Sequence, residues 1–170
     1  MTDTFTQQTW KLDDLYMAVN SPEIEKTFER LEKKVSQIEQ VRPDLTPEIS
    51  QDRFMEIIQM IDDLMTESYK LFSFAQLSFY EDTQNQEAQT LLGGVQQTFA
   101  KLQNRILFFE LWWKGLSDGD AERLIKETGD YHYWLEEMRN YKPYTLSEAE
   151  EKVINIKNVT GWEGIRRLYE

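Results

Sequence analysis

His132 is the single histidine among 170 residues, and cysteine is absent. A zinc hydrolase of the HExxH kind sets two histidines one helical turn apart with a glutamate between them as general base, a pattern that one imidazole cannot fill. Without a thiol there is also no thiolate ligand, no disulfide and no cysteine nucleophile, which fits a reducing compartment. A carboxylate-bridged di-iron bundle needs two Glu-x-x-His pairs facing inward from different helices, whereas the residue three before His132 is Gly129. His132 and Glu136 stand one turn apart, the spacing of a pair on a helix surface. The expectation is a segment that holds no cofactor and supplies no catalytic residue.

Glu110 is the acid in the most unusual setting. It interrupts Ile106-Leu107-Phe108-Phe109-Glu110-Leu111-Trp112-Trp113, a run apolar on nearly every side of a helix, as in helices buried all round. A carboxylate there must find a partner, reach water or take up a proton. A lysine or arginine partner or a wet gap is the ordinary reading, and the lining of a functional cavity is the other. Some of Phe108, Phe109, Trp112 and Trp113 would need a surface outside the segment, unless the shorter helices that follow cover them.

The composition limits the partners. With 19 basic and 31 acidic residues the net charge is -12, spread along the chain, and no basic cluster exceeds two residues, so nucleic acid is not expected to bind. The same charge disfavours an amphipathic membrane-surface protein. The opening residues lack a basic stretch followed by an apolar one, so no signal peptide is visible. The greasiest run falls far short of the roughly 20 apolar residues of a membrane span. A cytoplasmic segment of one or at most two small domains is expected, large enough to bury roughly 70% of its unfolded surface.

The elements that would position these residues are helices, and the fold class is all-α. Ser21-Pro22-Glu23 and Thr46-Pro47-Glu48 each offer a capping hydroxyl, a proline at the first helical position and an acid at the positive helix end. Ile24, Phe28, Leu31, Val35 and Ile38 form the stripe of a first helix that ends near Val41, before Pro43. A second carries Phe54, Ile57, Ile58, Ile61, Leu64, Met65, Leu71, Phe72 and Ala75 to about Tyr80. A capping box at Thr83-Gln84-Asn85-Gln86 opens a third with Leu91, Leu92, Val95, Phe99, Leu102, Ile106, Phe109 and Trp113. Short polar turns between them imply an antiparallel bundle of three long helices. Gly93-Gly94 predicts either a close backbone approach or a break in the third.

Several short helices follow. One opens at Ser117 and closes at Gly129; the next is capped by Asp130, carries Tyr131, Trp134, Leu135 and Met138 on one face, and ends at Pro143. A capping box, Ser147 with Glu150, starts another that contains Val153 and Ile154. Thr160 with Glu163 starts the last, with Ile165, Leu168 and Tyr169 on one side. That last helix has no closing signal, which predicts that the chain continues.

Three stretches resemble the oligoendopeptidase F family of zinc peptidases. They are Trp10-Lys11-Leu12-Asp13-Asp14-Leu15-Tyr16, similar to a W-x-L-x-D-L-Y opening; Phe108-Phe109-Glu110-Leu111; and, most specific, His132-Tyr133, Leu135, Arg139, Pro143-Tyr144-Thr145-Leu146-Ser147-Glu148 and Glu150-Glu151-Lys152. The similarity runs from Trp10 to Tyr169. It implies that residues 1–170 form an N-terminal, lid-like helical domain that precedes a catalytic domain bearing HExxH, the two enclosing a cleft for short peptides. It implies zinc in the parent enzyme, and the catalytic domain and short peptides as partners. No residue here matches the family's zinc ligands or general base. Candidates for lining the cleft or the domain interface are Phe108, Phe109, Glu110, Trp112, Trp113, His132, Arg139 and Tyr144. The alternative is a free-standing helical interaction module that holds a partner by an aromatic surface.

Overall fold

The computed structural model describes residues 10–161 and residue 165, and the described residues are helical with no strand. Helix α1 spans Pro22–Gln40, α2 Gln51–Glu81, α3 Gln86–Gly115, α4 Asp118–Ile125, α5 His132–Asn140 and α6 Glu148–Thr160. Single turns of 3₁₀ helix at Arg42–Asp44, Gly129–Tyr131 and Lys142–Tyr144 join them.

Side-chain pairs give the directions of the long helices. Arg30 on α1 pairs with Glu67 on α2, and Lys34 reaches the Asp63 carbonyl oxygen, so residue numbers fall on α2 as they rise on α1. Phe72 meets Phe99 near one end of α2 and α3, while Phe54 stacks on Trp113 near the other. Both neighbouring pairs are antiparallel, as expected. Arg105 of α3 closes the triangle by donating to Glu39, Glu32 and Ser36 on α1.

Ile24, Leu31, Val35 and Ile38 of the α1 stripe are buried, each contributing about 1.5–3 kcal/mol by leaving water. Thr27 joins them: its hydroxyl donates to the Glu23 carbonyl oxygen at 2.9 Å, which satisfies it within the core, and lies 3.2 Å from the Tyr16 hydroxyl. Replacing Val35 by aspartate would put an unpaired charge at a fully covered position and break this packing.

Some local expectations are corrected. Helix α2 starts after Ser50, whose hydroxyl accepts from the Arg53 N–H, and not at Thr46. Thr46-Pro47-Glu48 instead makes a turn closed by the Ile49 N–H on the Thr46 carbonyl oxygen, which drops Ile49 into the core. Asn85, two residues after Thr83, caps α3 by accepting from the N–H groups of Glu87 and Ala88. Asp130 does not cap α5, because the turn Gly129–Tyr131, entered at a left-handed Gly129 (φ +56°), runs straight into the helix. Helix α3 passes unbroken through Gly93-Gly94, and a Cβ on Gly94 would meet no atom within 4 Å. The Ser147–Glu150 capping box forms in full. Glu163, Leu168 and Tyr169 of the last expected helix lie outside the described residues.

Helix α6 turns its apolar side outward. Asn155 donates to the side chain of Asn104 on α3 at 2.9 Å, and Asn104 donates to the Lys152 carbonyl oxygen at 3.3 Å. The polar side of α6 thereby packs on α3, leaving Val153 (62%), Ile154 (40%) and Ile156 (56%) exposed. An amphipathic helix ordinarily buries the opposite face.

Candidate functional site

Leu135, Arg139 and Lys142, within the 132–152 stretch, meet the end of α3. Trp113, fully buried, donates its indole N–H to the Leu135 carbonyl oxygen at 2.9 Å. Arg139 donates to the carbonyl oxygens of Trp113 (2.7 Å) and Leu116 (3.2 Å) and to Asp118 (2.6 Å). Lys142 adds a bond to the Leu116 carbonyl oxygen at 2.9 Å. The last carbonyls of a helix lack internal partners and carry partial negative charge, so two cations placed there latch α5 and the following turn to α3. Arg139, then Lys142, hold the Asp118 carboxyl below its ordinary pKa by hydrogen bonding to the charged form.

Beside this latch a groove of about 330 Å³ opens between α2, α3 and α5. Buried Leu64, Leu102 and Phe109 line its floor. Half-buried Met65, Phe72, Phe99, Ile106, Trp134 and Met138 line its walls. Glu110 is the one charged side chain of the lining, accompanied by Ser68, Tyr69 and Gln103. Its Oε1 pairs with Lys114 one turn on, and the carboxylate side chain is 40% exposed whereas Lys114 is 9% exposed. The pair with Lys114 is the ordinary reading of Glu110, a carboxylate that finds a cation one turn away.

The other candidates are dispersed. Phe108, Phe109 and Trp113 are buried within the chain itself, by α2, α5 and the turn after α1, so they form no exposed aromatic patch. Arg42 lies over the Phe108 ring at 5.1 Å. Trp112 is half-covered, packed on Phe54 and Phe109, and its indole N–H is buried without a hydrogen-bond partner. His132 and Glu136 are exposed along a shallow hollow with Asp118 and Arg139. Tyr144 is 78% exposed. Of the eight, Phe109 and Glu110 share the groove, and Trp113 and Arg139 share the latch.

Sequence reasoning named Trp134 and Met138 as one helical face, and Met65, Phe72, Phe99 and Ile106 as stripe members, but not as one groove. Their common feature is a place at the edge of an apolar stripe, where burial is incomplete.

Residues 112–170 match the family model described as Oligopeptidase F, an N-terminal model of the M3 peptidases. Over these residues the chain is similar to oligopeptidase F. The match contains the latch partners Trp113, Leu135, Arg139 and Lys142 and all of α4, α5 and α6. It begins after the Trp10–Tyr16 and Phe108–Leu111 stretches. No curated protein and no solved structure matches the chain. The oligopeptidase F-like segment thus supplies structural contacts: the most specific stretch of the resemblance fastens the short helices to the bundle.

Among the described residues no three histidine, cysteine, aspartate or glutamate side chains converge on a position that could hold a metal ion. No helix among them is long and apolar enough to cross a membrane.

Proposed function

We propose that this chain is the non-catalytic N-terminal helical domain of an oligoendopeptidase F-like zinc metallopeptidase that hydrolyses short peptides. In this reading zinc and the catalytic residues belong to a domain encoded after residue 170, and residues 1–170 help to wall and close the substrate cleft. The observation that carries it is the family-model match over residues 112–170, the segment that builds the latch. Two surface features support a role beside another domain. The apolar ridge of Val153, Ile154 and Ile156 faces outward on α6, and the groove beside Glu110 is open. A wall domain contributes by excluding water and folded proteins from the cleft and by moving when substrate enters.

The experiment is a cleavage assay on a quenched fluorescent peptide, run on the pure 170-residue chain and on the intact protein, each with added zinc and with chelator. The intact protein is expected to cleave in a chelator-sensitive way and the isolated chain to remain inactive. Robust chelator-sensitive cleavage by the isolated chain would overturn the assignment of a non-catalytic role.

A further inference from the structure

The groove between α2, α3 and α5 has the chemistry of a small, polarised subsite. Its walls are thioether, aromatic and aliphatic side chains, and no cation is among its lining residues. Glu110 is its charged group, with Oε1 engaged by Lys114 and Oε2 free to accept a further hydrogen bond. At about 330 Å³ it lies at the small end of ligand-pocket sizes, with room for one or two side chains.

We infer that this groove binds the amino-terminal residue of a short peptide, with a large apolar side chain seated among Met65, Ile106, Trp134 and Met138 and the terminal ammonium on Glu110. The choice of peptides as ligand class rests on the proposed function; the choice of end rests on the groove. A carboxylate with an open oxygen at the edge of an apolar hollow favours a cation next to an apolar group. A terminal carboxylate has no proton to donate to that oxygen, so the other end of a peptide finds no bond there. Desolvation of the Glu110–Lys114 pair by an incoming side chain strengthens any further bond to the free oxygen. Thioether side chains such as Met65 and Met138 adapt to different apolar groups, so the site selects for size and for a free amine more than for one residue type.

The test uses the full 170-residue chain with methyl-labelled methionine, titrated with Phe-Ala-Ala-amide and followed by NMR. Met65 and Met138 are expected to shift, while Met17 and Met55, which lie outside the groove lining, stay in place. Acetylating the peptide's amine, which leaves the protein untouched, is expected to weaken binding about five- to tenfold, the size of one charge-assisted bond at a partly exposed site. Glu110→Gln is expected to weaken the free-amine peptide similarly and to leave the acetylated one unchanged. Absence of shifts at Met65 and Met138, or shifts indifferent to both changes, would overturn the proposal. So would equal binding of acetyl-Phe-Lys-Ala-amide, because a lysine side chain would then serve as well as a terminus. These outcomes concern the isolated chain, whereas the proposed function fails on the intact protein's activity, so the two failures are separable.

Discussion

Arg139 donates from Nη1 to the carbonyl oxygen of Trp113 at 2.7 Å while its guanidinium carbon lies 5.6 Å from the centre of the Trp113 ring. One side chain therefore caps the end of α3 and covers the largest fully buried residue of the core.

Arg139→Ala is expected to destabilise the chain by about 2–3 kcal/mol, since it strips a charged donor from two carbonyl oxygens and uncovers an indole face. The melting temperature should fall by roughly 5–10 °C for a domain of this size. Arg139→Lys should recover only part of the loss, because an ammonium lacks the planar fork that reaches Trp113, Leu116 and Asp118 together. Thermal denaturation of the three proteins checks this, and a full rescue by lysine would show that charge alone matters.

Gly94→Ala is expected to stabilise. The helix is continuous there and the added methyl meets nothing within 4 Å, so the gain is the intrinsic helix preference of alanine, about 1 kcal/mol. Urea unfolding should show a higher midpoint with an unchanged slope.

Stability should fall in acid through identifiable pairs. Hydrogen bonds from Arg105 lower the Glu39 pKa, from Lys152 and then Arg42 that of Glu148, and from Arg139 and then Lys142 that of Asp118. A folded pKa below the unfolded one gives stability that is present above the unfolded value and is lost as pH falls through the folded value. The unfolded references are 4.5 for the glutamates and 3.8 for the aspartate, so the loss begins near these values and proceeds below them. Exposure keeps each contribution small. Arg105→Gln should flatten the acid limb of a melting-temperature profile by removing the contribution of Glu39, and an unaltered limb would remove this pair from the explanation.

Ile156→Asp should change the stability of the isolated chain by no more than about 0.5 kcal/mol, because the side chain is 56% exposed. Val35→Asp, at 0% exposure, should prevent folding. In the intact protein the account expects Ile156→Asp to lower peptidase activity by loosening the domain contact. Kinetics indistinguishable from wild type would detach the ridge from that role.

The sequence made the long helices legible because their apolar residues recur at helical spacing and proline or short polar turns separate them. Ser21, Ser117 and Ser147 were readable as caps for the same local reason. Thr46 was not readable as a turn, since its hydroxyl, proline and acid mimic a helix start, and the need to bury Ile49 decides against it. Helix α6 shows the larger limit. Val153 and Ile154 look like core residues, and the side-chain bond between Asn104 and Asn155, distant in sequence, turns them outward. Glu110 stood out because it breaks an apolar run, but the groove beside it is a product of three elements brought together, and no local pattern announces such a place. Arg139 was singled out by resemblance, and its contact with the end of α3 shows the physical work that it does.

The most direct measurement is sequencing of the reading frame beyond residue 170. The account predicts an in-frame HExxH within the next few hundred codons, followed by a third zinc ligand in the same polypeptide. A stop codon soon after residue 170, with no such sequence before it, would contradict it.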